Sequence, residues 1–266
     1  MDELRLSGWA LILGASSGFG EATSLELARR GMDIFGVHLD RRGTMPNVER
    51  ITGQIRELGR KAHFFNGNAA DADKRKEVLD AVEAESAGSS PRVRVLMHSL
   101  AFGTLRPFIT EPAPDGINKT QMDMTSDVMA HSLVYWTQDL VARGLLGEGS
   151  RIYAMTSMGG HRMMHAYGAV SAAKAALESH IRQLAFELAP RKITANSICA
   201  GVTDTPALRK IPGSDKFSLE AQARNPSRRL TLTEDVASAI AALTYQGTHW
   251  ITGNVINVDG GEDIAG

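Results

Sequence analysis

Seven short apolar runs punctuate the chain: residues 9–13 (WALIL), 33–39 (DIFGVHL), 62–66 (AHFFN), 93–98 (VRVLMH), 151–156 (RIYAMT), 193–198 (ITANSI) and 254–258 (NVINV). Runs of this length that are continuously apolar rather than alternating predict strands covered on both faces. Between them, helical patterns fall at about 19–30, 47–58, 72–85, 126–143, 164–189 and 233–245, with Ser126 and Thr233 as N-caps of two of these helices. End-to-end alternation of strand and helix, without linker or repeat, implies right-handed βαβ units. The expected fold class is therefore α/β: a single domain over residues 1–266, built as a doubly wound parallel sheet of about seven strands with helices on both faces. Two segments, 102–125 and 203–230, lack clear periodicity. Both follow strands, so both are expected at the carboxyl edge of the sheet, where such folds bind ligands. The second contains Pro206, Pro212, Gly213 and Pro226, which predicts a substrate loop rather than a regular long helix.

Composition narrows the partners. The chain has 266 residues, 43% of them hydrophobic, enough for one large core. With 29 basic and 30 acidic residues the net charge is -1, which favours neither nucleic acid nor a membrane surface. Cys199 is the single cysteine, so an internal disulfide and a thiolate metal site are both excluded, and a reducing, cytoplasmic setting is expected. No apolar stretch reaches the roughly 18 residues of a membrane span.

The first candidate chemistry lies in LILGASSGFGEA, where Gly14, Gly18 and Gly20 follow the first strand and open the first helix. Glycines there let the backbone turn sharply and approach a pyrophosphate, and the helix N-terminus offers free amides and partial positive charge. With GNAAD (67–71) after the third strand and NVDGG (257–261) at the end of the last, the chain resembles the short-chain dehydrogenase/reductase superfamily over nearly its whole length. The resemblance implies a Rossmann-type domain that binds NAD or NADP. It implies cofactor contacts from Gly14, Ser16, Ser17, Gly18, Phe19 and Gly20, from Asn68 and Ala69 beside the adenine, and from Ser99, Leu100, Ala101, Lys174, Val202 and Thr205.

In most of that superfamily a catalytic tyrosine precedes the lysine by four residues. Here that position is Val170, which has no proton to give, and Tyr167 precedes Lys174 by seven. Seven residues make about 700° of helical rotation, so the two side chains share a face, with the hydroxyl displaced about 4.5 Å further along the axis. Reduction of a ketone places negative charge on the oxygen of the carbon that receives hydride, whereas reduction of an enoyl thioester places it on a more distant carbonyl oxygen. A more distant phenol suits the second reaction. The spacing, with Ser157 seventeen residues before the lysine, resembles the NADPH-dependent branch of bacterial enoyl-acyl-carrier-protein reductases. MHSLAFG (97–103), CAGVTDTPAL (199–208) and NPSRRLTLTEDVA (225–237) agree with that resemblance. It implies Tyr167, Lys174 and Ser157 as catalytic residues, a trans-2-enoyl chain on acyl-carrier protein or coenzyme A as substrate, and a homodimer or homotetramer built on the helices at 126–143 and 164–189. Lys174 is expected to orient the ribose hydroxyls and to favour the ionised phenol. The sequence departs from the family at Ser157 and Met163, where an additional tyrosine stands in one or other subgroup, and at Met129, where ketone reducers carry an asparagine.

His38 occupies the place where many NAD-dependent relatives have aspartate, and Asp40, Arg41 and Arg42 follow. The two arginines can hold a 2′-phosphate by charge-assisted bonds, which favours NADPH, with NADH the alternative through Asp40. His161 and His165 are spaced i, i+4 but have no carboxylate between them, so no metal is expected and they are read as lining the acyl pocket or a loop. Two other functions compete with enoyl reduction: a carbonyl or alcohol oxidoreductase of the same fold, and a dinucleotide-sensing regulator.

Overall fold

The computed structural model describes residues 5–112 and 115–265. Residues 1–4 and two positions of the 102–125 segment, 113 and 114, lie outside the described residues. Seven strands, β1 (Trp9–Leu13), β2 (Asp33–His38), β3 (Ala62–Asn66), β4 (Val95–His98), β5 (Arg151–Ser157), β6 (Thr194–Ala200) and β7 (Val255–Val258), form one sheet in the order β3-β2-β1-β4-β5-β6-β7. Every pairing is parallel. The chain order reverses direction between β1 and β4, and Leu13 sits opposite His98 at that divide.

The continuous apolar strands have the physical basis their pattern implies. Leu11, Leu13, Phe35, Leu96 and Ile152 project into one core with Leu133, Trp136, Leu177 and Ile181. Ala10, Ile12, Ile34, Met97 and Ile198 project into the other, with Leu25, Ile51, Ile55, Val236 and Ile240. The helices α1 (Gly18–Arg29), α2 (Met45–Glu57) and α8 (Thr233–Leu243) thus cover one face, and α3 (Ala72–Glu85), α5 (Ser132–Ala142) and α6 (Gly168–Leu188) the other.

Helix boundaries depart from the expectation at four places. The helix expected from Ser126 begins earlier, as α4 (Lys119–Ser126), capped by Asn118: its carboxamide oxygen accepts the Gln121 amide at 3.0 Å, while the Gln121 side chain accepts the Asn118 amide at 3.1 Å. Ser126 is therefore interior, and the chain runs on through a wide π turn, Asp127–His131, into α5. Thr233 is the first residue of α8 rather than its cap, and the Asp235 carboxylate accepts the Leu232 amide at 2.9 Å. The stretch 164–167 is not helical: Ala166 has φ 58°, the left-handed region, and α6 starts only at Gly168. The 203–230 segment also contains a helix, α7 (Ser214–Arg224), which begins after Gly213 at φ 77°.

Trp136 is fully buried, and its indole N–H donates to the Ala69 carbonyl at 2.7 Å, tying α5 to the end of β3. Trp136→Phe leaves that carbonyl without its partner and is expected to lower unfolding free energy by about 2 kcal/mol. Urea denaturation followed by circular dichroism measures it, with an unchanged m-value marking a true stability loss.

Candidate active site

The cleft at the carboxyl edge is set by backbone contacts before any side chain acts. Gly14 and Ala15 donate their amides to Val37 at 2.8 and 3.1 Å, which curls the chain over the end of β2. A Cβ on Gly20 would stand 2.0 Å from the Gly14 carbonyl oxygen, and one on Gly14 would stand 2.4 Å from that of Ser99. No side chain fits at either position. The first turn of α1 therefore presses onto the end of β1, and Ser17 caps it without a side-chain hydrogen bond, leaving its amides directed outward. This cradle fits a pyrophosphate.

Beside it opens a cleft of about 230 Å³. Among the residues expected from the sequence, Ser17, Gly18, Phe19, Ser99, Leu100, Ala101, Ser157, Tyr167, Lys174, Val202 and Thr205 line it. Gly14 and Gly20 form the floor of the adjoining turn. Asn68 and Ala69 follow β3, and Arg41 and Arg42 follow β2, exposed and without an ion pair among the described residues. The remaining wall is apolar: Leu105, Met129, Met155, Met158, Met164 and Val170 among others.

Lys174 is 6% exposed, and its ammonium donates to the Met155 carbonyl at 2.6 Å. Burial pulls its pKa down to about 8, opposed by the carboxylate of Glu178. Tyr167 stands immediately before α6, and its carbonyl accepts the Ser171 amide at 2.8 Å in the first helical turn. Its phenol is pushed above the usual range by burial, with the neighbouring Ser157 hydroxyl acting in the opposite sense. The expectation that Lys174 favours an ionised phenol is thus corrected. The lysine's charge is directed to Met155 and Glu178, and Tyr167 remains a protonated donor. The Ser157 oxygen is buried and makes no close hydrogen bond within the described residues, so it is free to meet a ligand beside the phenol.

Three features of the site were not read from the sequence. His98, fully buried at the end of β4, places its Nε2 2.9 Å from the Ser132 hydroxyl, which lies 2.8 Å from the Val128 carbonyl of the π turn. Burial, then the Lys174 charge, pulls the His98 pKa down to about 3, so it is a neutral wedge. Glu178 accepts from the Thr156 hydroxyl at 2.6 Å; its position one turn after Lys174 was a readable signal. The third is the acidic segment at 259–263. Buried Glu262 accepts the Val202 amide at 3.0 Å and the Arg224 guanidinium at 3.1 Å, while Asp263 pairs with His161 and Arg162. The Val202 amide is therefore engaged, so its contribution to the cleft is its side chain. Neither His161 nor His165 lines the cleft; of the two expected positions, acyl pocket or loop, both occupy the loop between the turn after β5 and α6.

At the ends of β2 and α2, Asp40 pairs with His38 at 2.9 Å. Burial raises its pKa, but contacts with the Ser16 and Thr44 hydroxyls and with His38 outweigh this and hold it below the usual carboxylate range. A charged Asp40 thus sits against the glycine loop.

Residues 14–262 match the family model described as enoyl-(acyl carrier protein) reductase. The 3-oxoacyl-(acyl-carrier-protein) reductase FabG of Aggregatibacter actinomycetemcomitans is 30% identical over 257 residues, covering 96% of this chain and 99% of that protein. The NADH-dependent enoyl-(acyl-carrier-protein) reductase FabI of Salmonella typhimurium is 28% identical over 218 residues, covering 82% of this chain and 81% of that one. Among solved structures, the promiscuous reductase LugOII, which catalyses keto-reduction in lugdunomycin biosynthesis, superposes with a TM-score of 0.82 at 26% identity, covering 98% of this chain and 99% of its own.

Two outcomes test the site. A Cβ on Gly159 would stand 2.5 Å from the Tyr167 ring, so Gly159→Ala is expected to displace the phenol and lower kcat more than tenfold while cofactor affinity is retained, as read by steady-state kinetics and fluorescence titration. Lys174 is a base whose charged form is present below its pKa. Cofactor binding that depends on the ammonium should therefore hold at pH 7 and fall as pH rises through about 8, measured by titration across pH 6–10.

Proposed function

Because the chain belongs to the short-chain dehydrogenase/reductase superfamily and is an oxidoreductase of that kind using NAD(P)H, we propose that it reduces the carbon–carbon double bond of a trans-2-enoyl thioester carried on acyl-carrier protein or coenzyme A. The observation that carries this reading is the position of the phenol in the cleft. The tyrosine stands seven residues before Lys174, and the place four residues before it is filled by apolar, buried Val170. Met129, on the π turn, lines the cleft where an asparagine relay would otherwise stand, so that wall supplies no proton either.

The nicotinamide, when bound, supplies the hydride. Lys174 would hold the nicotinamide ribose, the first turn of α1 the pyrophosphate, and Arg41 and Arg42 the 2′-phosphate of NADPH, with Asp40 the residue that would accept the ribose hydroxyl of NADH. As hydride reaches the β-carbon, charge collects on the thioester oxygen. Tyr167, kept protonated by its surroundings, would hydrogen-bond that oxygen and pass it a proton. Ketonisation of the enol would give the saturated thioester, and solvent would reprotonate the phenol. Ser157 is placed to give a second hydrogen bond to the same oxygen. The methionines and Val170 exclude water from the enolate and accommodate an acyl chain. Assembly as a homodimer or homotetramer through α5 and α6 is part of this proposal. It is supported by the exposed face of Tyr135, Ala172, Ala175 and Ser179, and light scattering of the purified protein tests it.

A keto reduction is the second reading, supported by the relationship to FabG. Crotonyl and acetoacetyl thioesters, assayed side by side with NADPH, separate the two: the proposal expects loss of the enoyl absorbance coupled to NADPH oxidation and little turnover of the ketone. Tyr167→Phe is expected to lower kcat about 10²- to 10³-fold on the enoyl substrate with KM for cofactor unchanged. The double variant Arg41→Ala with Arg42→Ala is expected to weaken NADPH at least tenfold and leave NADH nearly unaffected; equal loss of both would remove the arginines from the cofactor assignment.

A further inference from the structure

The ammonium of Lys174 is buried among apolar side chains and needs a counter-charge. The groups facing it from each packed element are few. From β4 comes His98, held neutral; from β5, the Met155 carbonyl and Ser157; from β6, the buried Cys199 thiol, pushed up to about 12 and hence uncharged. From its own helix comes Glu178, and from the residue immediately before that helix Tyr167, protonated. Among the described residues Glu178 is the carboxylate that acts on the Lys174 charge.

Its placement is built rather than incidental. The Thr156 hydroxyl donates to Glu178 Oε1 at 2.6 Å, and Thr156 immediately precedes Ser157. The turn Met158–Gly160 that follows lies flat on α6: a Cβ on Gly160 would stand 3.2 Å from Glu178 Oε1 and 3.6 Å from the Lys174 Cβ. The carboxylate and the lysine stem thus flank one glycine on the same helix face, one turn apart. A long acidic side chain on an otherwise half-exposed helix edge would ordinarily extend into water. Here a strand-end hydroxyl holds it inward.

We propose that Glu178 is a positioning residue: its carboxylate, tethered by Thr156, is the counter-charge to the Lys174 ammonium and the clasp that holds the Ser157 strand end against α6. This deepens the proposed function but needs only the cofactor-holding role of Lys174, so cofactor binding tests it independently of which thioester or ketone is turned over.

The experiment is fluorescence titration of NADPH into the full-length protein across pH 6–10, for the wild type and three variants. Glu178→Gln keeps the shape and an acceptor for Thr156 but removes the charge, and is expected to move the alkaline fall in affinity about one pH unit lower. Thr156→Val keeps the charge but releases it to solvent, and is expected to move the fall in the same direction by a smaller amount. Thr156→Ser, which restores the hydroxyl, is expected to match the wild type. A wild-type midpoint in folded Glu178→Gln or folded Thr156→Val overturns the proposal, as does a Thr156→Ser midpoint displaced as far as that of Thr156→Val. A purely structural role for Glu178 would lower affinity at every pH without moving the midpoint.

Discussion

The constraint on which the molecule depends is the near-contact of three backbone segments at the carboxyl edge of the sheet. Gly20 lies against the carbonyl of Gly14, and Gly14 against that of Ser99, at separations that leave no room for a single carbon atom. That closeness draws the start of α1, the end of β1 and the end of β4 into one junction where the sheet reverses order. Both neighbouring sites follow from it. The unpaired amides of α1 face the cleft on one side, and His98 is driven into the interior on the other, where it wedges β4 against the π turn through Ser132. The glycines are there because the junction is steric, and the dipole of α1 is useful only because nothing stands between it and the cleft.

Across the cleft the chemistry is arranged by burial more than by charge. The phenol of Tyr167 and the ammonium of Lys174 are both shifted toward their neutral forms by desolvation, one upward and the other downward. The consequence is a division of labour: the tyrosine retains a proton at neutral pH, and the lysine keeps its charge there, with Glu178 acting against the pull of burial. The positive φ of Ala166, of the order of 1 kcal/mol in strain, sits directly before the tyrosine and sets the direction from which it enters α6.

Much of this was legible in the sequence because it rests on local pattern. The inner strands were readable since they feed alternate residues into two opposed cores, as Leu11 and Ile12 do, so their runs are unbroken; β7, at the sheet edge, packs through Ile256 and Val258 on one face and leaves Val255 and Asn257 exposed. The glycine loop was readable since its steric demand admits one residue type. Tyr167, Lys174 and Ser157 were readable as a spacing, and the structure brings all three to one cleft. What was hidden depended on partners remote in sequence or on backbone geometry without a strong residue signature. The start of α6 moved because Ala166 adopts a conformation that composition does not announce. The beginning of α4 was missed although the Asn118–Gln121 box was present, because the stretch following it has no apolar stripe to draw attention. Asp40 could be placed near the ribose from its position, but its contacts with Ser16 and His38 emerge only when β2 and the glycine loop meet.

Asp259, Glu262 and Asp263 tie together segments that lie far apart in the chain. Glu262 holds both the loop after β6 and the C-terminal end of α7, and Asp263 fastens the stretch leading to Tyr167. The loop after β6, the end of α7 and the approach to Tyr167 therefore behave as one mechanical unit, and loosening Glu262 would unsettle the nucleotide side and the reducing side of the cleft together.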